Sequence, residues 1–286
     1  MDYYQGKLVL ITGGSSGIGL ALAKQLATLQ ANVWILARRP EQLDIALKEI
    51  ESCRKNPVQQ FGVIQADVSD EQEINTELSK FLATTGVPDI LINSAGVTRP
   101  GLLEDLDSKI FHWLMDVNYF GTVYTTKKIV PGMAARHSGQ IINICSGAGY
   151  AGLYGYSAYC GSKFAVRGFS DTLRSELKEN GIKVSLVLPP DTNTPQLIEE
   201  QQYKPALTKA LTEDNGGIAE PEEVARNILK SASNGKYMIL PHSQISLLYN
   251  VVNVLMIFNL YFPFMDMLVN QARAKTEKQK IQKSIS

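Results

Sequence analysis

The fold is decided by the stretch Lys7-Leu8-Val9-Leu10-Ile11-Thr12-Gly13-Gly14-Ser15-Ser16-Gly17-Ile18-Gly19. Its apolar half predicts a strand over Lys7–Thr12, and the residues after the turn predict a helix over Gly17–Gln30. Glycine lets a backbone turn tightly against a pyrophosphate, which the free N–H groups of the next helix bind. A strand–helix turn also favours glycine for its own sake, and the spacing is not GxGxxG. The position near the N-terminus favours a dinucleotide site, with these ligands: Gly13, Ser15, Ser16, Gly17, Ile18 and Gly19.

Beyond this turn, short β-branched runs alternate with amphipathic segments through most of the chain. The further predicted strands are Asn32–Ala37, Gln60–Ala66, Asp89–Asn93, Gln140–Cys145, Lys183–Leu188 and Tyr237–Leu240. The further predicted helices are Pro40–Arg54, one capped by Ser69 or Asp70, a long region from about Lys109 to Arg136, and Ser157–Asn180, ended by Gly181. This alternation predicts the α/β class: a Rossmann-like, doubly wound parallel sheet of about seven strands. Residues 1–240 are expected to form one catalytic domain, with 241–286 as an apolar extension.

The composition excludes several classes of function. The 286 residues carry 28 basic and 28 acidic side chains, so nothing indicates a nucleic-acid surface. Three scattered cysteines and three distant histidines indicate neither a disulfide framework nor a metal site, and a reducing compartment is expected. The N-terminus leads directly into a strand, with no apolar segment long enough for a signal peptide.

The ends of three predicted strands bear on the choice of cofactor. The second strand ends in Ala37-Arg38-Arg39, where an acidic residue would favour NAD by binding the ribose hydroxyls. Arginine instead suits a 2′-phosphate, so we predict NADPH (or NADP+) with Arg38 as the ligand, unless both arginines merely solubilise a loop. The pair Asp67-Val68 and the run Asn93-Ser94-Ala95-Gly96 follow the next two strands, where a ligand crevice opens. An ordinary turn explains those residues nearly as well.

Tyr159 and Lys163 are candidates for acid–base chemistry. They stand four residues apart on a predicted helix, so their side chains share one face. An ammonium beside a phenol stabilises the phenolate, and we expect it to lower the pKa of Tyr159 toward the working pH. Ser146 ends the fifth predicted strand and is expected to hold a substrate carbonyl, while Asn118 is expected to position a water. The alternative is that the tyrosine and lysine are simply helix-surface residues.

These residues together follow a family pattern: TGxxxGIG, NxAG, Asn, Ser and YxxxK occur in order as Thr12–Gly19, Asn93–Gly96, Asn118, Ser146 and Tyr159–Lys163. Over about residues 6–240 the chain therefore resembles the short-chain dehydrogenase/reductase family. The resemblance implies that Tyr159 transfers a proton, Lys163 also binds the nicotinamide ribose, and Ser146 orients the carbonyl. It implies a water relay at Asn118. By the same resemblance, Asp67 and Val68 flank the adenine, Ala95 and Gly96 lie against the cofactor, and Asn93 braces the central strand.

One loop departs from the family pattern. Pro189-Pro190 replaces the usual Pro-Gly after the sixth strand, so the loop on the nicotinamide side has a different shape. Within it, Pro189, Thr192 and Thr194 are expected to contact the cofactor, and Thr194 matches the family threonine that contacts the carboxamide.

Two segments, 152–159 and 189–195, resemble one subfamily, the 3-ketodihydrosphingosine reductases of sphingolipid synthesis. That resemblance implies a long-chain keto lipid as substrate. Asp191 either faces the substrate ammonium or, as we judge more favourable, caps the following helix. Two alternatives stay open: another apolar carbonyl or alcohol (steroid, retinoid or fatty-acyl), and a protein that binds NADP(H) without turnover. The intact Asn118, Ser146, Tyr159 and Lys163 set argues against the second.

The segment 245–269 is mostly apolar and precedes a basic tail: Arg273, Lys275, Lys278, Lys280 and Lys283. It reaches the length of about 20 residues that a bilayer span needs, but polar residues interrupt it and Pro263 is expected to break it. We favour contact with a membrane surface through 245–286, on its cytoplasmic side. In a eukaryote this is the endoplasmic reticulum, and in a bacterium the inner membrane or the cytoplasm itself. A lid, a dimer interface or a full span are the alternatives. The family resemblance also implies a homo-oligomer.

Overall fold

Seven parallel strands form one sheet at the centre of the molecule. The structure is a computed structural model that describes residues 2–212 and 217–285, and the side chains of 3–212 and 217–277. The strands are β1 (Leu8–Thr12), β2 (Asn32–Ala37), β3 (Phe61–Gln65), β4 (Ile90–Asn93), β5 (Gly139–Ile144), β6 (Ile182–Val187) and β7 (Met238–Ile239). Their order is β3-β2-β1-β4-β5-β6-β7. This confirms the predicted fold class.

Helices cover both faces of the sheet and extend beyond it. They are α1 (Gly17–Thr28), α2 (Pro40–Ser52), α3 (Glu71–Thr84), α4 (Ser108–Leu114), α5 (Gly121–Ala135), α6 (Ser157–Glu176), α7 (Pro195–Glu200), α8 (Ala206–Thr212), α9 (Pro221–Ser233), α10 (Ser243–Ile257) and α11 (Tyr261–Ile285). A π-helical turn, Met115–Phe120, joins α4 to α5.

The central strands are apolar on both faces because each face packs against helices. Within β1, Val9 and Ile11 join the core shared with α1, α2 and α9. Leu10 points to the other face and joins the core shared with α3, α5 and α6. The chain crosses from β3, on one side of β1, to β4 on the other, so a ligand crevice is expected at the carboxyl ends of β1 and β4.

Several predicted element ends need correction. The helix carrying Tyr159 ends at Glu176, and a run of turns leads on to Gly181, whose φ of 69° only glycine adopts readily. Of the two candidate caps for α3, Asp70 fills the role by accepting from the backbone N–H groups of Gln72 and Glu73. Between 195 and 236 the sequence predicts only the helix that Asp191 is expected to cap, without bounds, whereas α7, α8 and α9 lie there.

The C-terminal pair α10 and α11 packs against the catalytic half of the sheet. Ile245, Val252 and Tyr261 are buried in one apolar cluster with residues of β6 and of the loop after β5. The Tyr150 hydroxyl donates to the Asn253 Oδ1 atom. The Tyr261 hydroxyl donates to the Gly152 carbonyl at 3.2 Å.

The break between these two helices is not where the sequence predicts it. Pro263 lies in the first turn of α11, where its missing N–H leaves no helical hydrogen bond unmade. The chain instead turns at Asn259, with φ of 57°. Among the described residues, no single helix is both long and apolar enough to cross a membrane. The pair Ser243–Ile257 and Tyr261–Glu277 reaches that length and composition together but is bent by 119°. The side chains of Lys278, Lys280 and Lys283 lie outside the described residues.

Candidate active site

The glycine-rich turn after β1 is held against neighbouring backbone. Gly13 has φ of 67°, and a Cβ there would lie 2.7 Å from the Ala95 Cα atom. A Cβ at Gly19 would lie 2.3 Å from the Gly13 carbonyl oxygen. Thr12 fixes the same junction, because its hydroxyl accepts from the N–H groups of Ser94 and Ala95, each at 3.2 Å. The turn and the end of β4 therefore form one rigid floor.

A crevice of about 310 Å³ opens above this floor. Its wall includes Gly13, Ser15, Ser16, Arg38, Val68, Ala95, Gly96 and Glu200. Arg38 stands at the end of β2, where it is about half exposed and its Nη1 atom lies 3.5 Å from the Asp67 Oδ2 atom. Asp67 is itself fixed, because its Oδ1 accepts from the backbone N–H and the hydroxyl of Ser69.

Two observations fit a dinucleotide in this crevice. The turn is a cradle that a Cβ at Gly13 would fill, so the backbone is free to approach a ligand. Thr98 lines the same crevice, and its hydroxyl is the one buried side-chain polar atom, among the described residues, without a hydrogen-bond partner. A buried hydroxyl without a partner is costly, and a ligand oxygen or nitrogen would satisfy it.

Tyr159 and Ser146, two of the predicted catalytic residues, are neighbours in the structure. Tyr159 is 9% exposed, and the Ser146 side chain lies close enough to its hydroxyl to lower its pKa. Burial raises the pKa of Tyr159 well above its usual value, and the Ser146 side chain only partly offsets this. The expected lowering of this pKa by Lys163 is therefore wrong for this state of the protein. The phenol is held in its protonated form.

Lys163 lies beside the phenol but is turned toward the end of β5. Its Nζ atom donates to the Ile144 carbonyl at 3.2 Å and lies 5.8 Å from the Tyr159 ring centroid. Burial lowers the pKa of this ammonium group. A Cβ at Gly96 would stand 3.4 Å from the Nζ atom, so Lys163 borders the cofactor crevice. Its predicted contact with the nicotinamide ribose stays a prediction.

Asn118 lies within the π-helical turn, whose geometry is frequent at functional sites. Its side chain accepts from the Val97 N–H at 2.8 Å and donates to the Val97 carbonyl at 3.0 Å. It also donates at 2.9 Å to Ser162, whose hydroxyl donates to the Tyr159 carbonyl. Asn118 thus joins the crevice floor to the helical turn that carries Tyr159. The predicted water relay stays a prediction.

Asn93, at the end of β4, is part of a fully buried polar network. Its Nδ2 atom donates to Asn143 at 2.8 Å and to Thr126 at 3.1 Å, and its Oδ1 accepts from Thr125 at 2.7 Å. Asn143 in turn donates to Ser170 on α6. The network connects β4 and β5 to α5 and α6, so it fixes the elements on which the catalytic side chains stand.

The loop after β6 closes one side of the crevice. The cap of α7 is Thr194, whose hydroxyl accepts from the Leu197 N–H at 3.3 Å. The expectation that Asp191 caps this helix is therefore wrong, because the helix begins three residues too late for its side chain. The Thr194 methyl group lies 3.0 Å from where a Cβ of Gly17 would stand. Thr192 is buried and bonded to the Pro190 carbonyl, whereas Pro189 is half-buried.

Three residues beside the site escaped the sequence analysis: Tyr156, Glu200 and Lys204. Tyr156 donates to the Glu200 Oε1 atom at 2.9 Å, and the Lys204 Nζ atom lies 3.0 Å from the same oxygen. In the sequence, a glutamate four residues before a lysine looks like an ordinary surface pair. The Glu200–Lys204 pair is buried only because α7 packs against the start of α6 in the folded structure.

Comparison with known proteins agrees with this geometry. The family model described as short chain dehydrogenase matches residues 7–204. A "3-ketodihydrosphingosine reductase" of Bos taurus is 37% identical over 233 residues, covering 81% of this chain and 70% of the relative. A "3-dehydrosphinganine reductase" of Danio rerio matches with the same identity and coverage. The crystal structure of a short chain dehydrogenase/reductase from Burkholderia phymatum in complex with NAD superposes with a TM-score of 0.80. It is 22% identical, and the match covers 91% of this chain and 97% of that one.

Proposed function

The chain belongs to the short-chain dehydrogenase family of oxidoreductases, which use NAD(P), and on that premise we propose that it reduces 3-ketodihydrosphingosine to dihydrosphingosine with NADPH. The observation that carries the chemistry is the close approach of Ser146 and Lys163 to the buried phenol of Tyr159. The choice of substrate is supported by the reductases that are 37% identical to this chain.

The side chains of this site suit reduction of a carbonyl. The Ser146 and Tyr159 hydroxyls together would bind the carbonyl oxygen, which becomes negative as the bond is reduced. Because burial raises its pKa, Tyr159 is protonated at neutral pH and donates its proton to that oxygen. Bound NADPH supplies the hydride to the carbonyl carbon. Lys163 would then stabilise the phenolate that remains on Tyr159.

A panel of ketones tests this proposal directly. NADPH oxidation is measured with 3-ketodihydrosphingosine and with matched steroid, retinoid and fatty-acyl carbonyls. We expect the amino ketone to have the highest kcat/KM and Tyr159→Phe to abolish its reduction while leaving the melting temperature within a few degrees. If another carbonyl were reduced faster, that compound would take the place of 3-ketodihydrosphingosine as the proposed substrate. If Tyr159→Phe kept full activity, the proposed role of Tyr159 as proton donor would be wrong.

The preference for NADPH rests on Arg38. It stands on the crevice wall, about half exposed, and no acidic residue occupies the end of β2. A charge-assisted contact with a phosphate contributes about 1.5–3 kcal/mol, so Arg38→Ala should raise the KM for NADPH roughly ten- to a hundredfold and leave that for NADH little changed. Arg39→Ala shows whether the neighbouring arginine, which lines the same crevice, shares this contact. If Arg38→Ala raised the KM for NADPH and for NADH equally, Arg38 would not account for a preference for NADPH.

We further propose that α10 and α11 contact the cytoplasmic surface of a membrane, as a long-chain lipid substrate requires. Among the described side chains of this pair and its link, ten large apolar ones are exposed: Leu247, Leu248, Val251, Val254, Met256, Ile257, Phe258, Leu260, Phe262 and Met267. Flotation with anionic vesicles should be lost in Phe262→Asp, which alters a side chain that is 74% exposed. Val58→Asp, at a side chain 76% exposed but outside this pair, should float like the wild type. Equal flotation of all three proteins would favour a lid or a protein interface.

A further inference from the structure

A buried carboxylate, Glu200, lies at the end of α7 and lines the crevice described above. The residue is 8% exposed. Its Oε1 atom accepts from the Tyr156 hydroxyl at 2.9 Å and lies 3.0 Å from the Lys204 Nζ atom. Tyr156 in turn packs against the catalytic phenol, with the two ring centroids 6.1 Å apart. Glu200 is therefore one side chain away from Tyr159.

The second oxygen of this carboxylate is free. Both partners bind Oε1, and among the described residues Oε2 has no hydrogen-bond partner. It is also not fully enclosed, because Thr98 Oγ1 is the one described side-chain polar atom that is both buried and unpaired. Oε2 therefore keeps some exposed surface on a residue that lines the crevice, and a carboxylate oxygen has lone pairs for further donors.

The charges around Tyr156 leave a surplus of negative charge on this wall. Burial chiefly raises the pKa of Tyr156, and the charges of Glu200 and then Asp191 raise it further. One ammonium group, Lys204, pairs with Glu200 at 3.0 Å, and no ion pair to Asp191 is formed among the described residues. The opposite end of the crevice carries Arg38 and Arg39. One end therefore suits a phosphate, and the other suits a cation with N–H donors.

We propose that Glu200 is the specificity residue for the substrate: its free Oε2 oxygen binds the ammonium group of a 2-amino-3-ketone while Tyr159 holds the ketone oxygen. This inference rests on the proposed function, because it names what the same site recognises. An amino ketone carries its nitrogen on the carbon next to the carbonyl, so the carboxylate that binds it must stand beside the catalytic phenol. Glu200 does so through Tyr156, whereas the side chain of Asp191 is exposed.

The test compares two substrates that differ only in the charge on nitrogen. These are 3-ketodihydrosphingosine and its N-acetylated form, whose amide carries no ammonium group. Wild type should prefer the amine. Glu200→Gln keeps an oxygen for Tyr156 but removes the charge, so kcat/KM for the amine should fall roughly ten- to a hundredfold, mainly through KM. The kcat/KM of Glu200→Gln for the amide should stay within about twofold of the wild-type value.

Removing one partner of a buried ion pair leaves the other charge unpaired and destabilises the fold. The double variant Glu200→Gln/Lys204→Met avoids this by removing both charges, and it should show the same loss of preference. Asp191→Asn removes the same charge from a nearby exposed position and should retain the preference of the wild type.

Each other outcome overturns the proposal in a recognisable way. If kcat/KM fell equally for the amine and the amide, the Glu200–Lys204 pair would only stabilise the position of α7. Loss of preference in Asp191→Asn alone would assign the ammonium to Asp191, and a change confined to the KM for NADPH would assign Glu200 to the cofactor. A wild type that reduces neither substrate, but does reduce other ketones, would refute the proposed substrate itself.

Discussion

Replacing Gly13 by alanine should damage both stability and cofactor binding, and a second glycine in the chain separates the two causes. Gly13 follows β1 and Gly6 precedes it, and their φ angles are nearly equal, at 67° and 73°. A Cβ at Gly13 would stand 2.7 Å from the Ala95 Cα atom, whereas a Cβ at Gly6 would meet nothing within 4 Å. Gly6→Ala therefore carries backbone strain alone, and Gly13→Ala carries strain and a collision.

The magnitudes follow from these two contributions. Alanine in the left-handed region costs about 1–2 kcal/mol, which both variants share. Overlap with backbone atoms, which cannot rotate away as a side chain can, adds about 1–3 kcal/mol at Gly13. We therefore expect the free energy of unfolding to fall by about 1–2 kcal/mol in Gly6→Ala and by about 2–5 kcal/mol in Gly13→Ala. In a domain of this size each kcal/mol lowers Tm by about 2–4 °C.

Urea unfolding with a shared m-value gives the two free energies, and fluorescence titration gives the Kd for NADPH. Gly6 lies at the opposite end of β1 from the crevice, so its variant should bind NADPH like the wild type, while Gly13→Ala should bind more weakly. If the two variants were equally stable and bound NADPH equally well, the close approach of the turn to Ala95 would have no part in forming the site.

Three further outcomes follow from the structure. Asn93→Ala removes three buried hydrogen bonds, including the one from Thr125, and should lower the free energy of unfolding by about 2–5 kcal/mol, measured by urea midpoint. Burial raises the pKa values of Tyr156 and Tyr159, so their contribution to stability is complete below the free tyrosine pKa of about 10 and is lost as pH rises above it. Urea midpoints between about pH 9 and pH 11 should fall steeply, and less steeply in Tyr156→Phe. Gly161→Ala, in α6 with open space at its Cβ, should stabilise the protein by about 0.5–1 kcal/mol without changing kcat; a loss would mean that this turn of the helix is not regular.

The strands and the first helices could be predicted because local sequence decides them. Buried strands such as β1 and β4 are apolar throughout, and the glycines at the first turn allow few other conformations. α9 was missed although Val224, Ala225, Ile228 and Leu229 follow a helical period and Pro221 opens the first turn, so the signal was present in the sequence. The π-helical turn was not predictable, because it depends on the contacts that Asn118 makes with Val97.

The features of the site also fall into those that local sequence predicts and those that depend on packing. The phenol and Ser146 were both assigned to the site because the order and spacing of a family motif include them. The direction of the shift in the pKa of that phenol was predicted wrongly, since burial is a property of the packed structure and spacing reports only that Lys163 is near. Glu200 could not be found at all, because it approaches Tyr156 from 44 positions away.

The π-helical turn also determines where this chain tolerates a change of length. A π turn amounts to one extra residue within an α-helix, and each residue rotates an α-helix by about 100°. Because the π turn absorbs its extra residue by being wider, deleting a single residue between Met115 and Phe120 would restore a regular helix and leave α5 nearly in phase with α4. Thr125 would keep its side toward Asn93, whereas Asn118, within the turn, would lose the position from which it bonds to Val97 and Ser162.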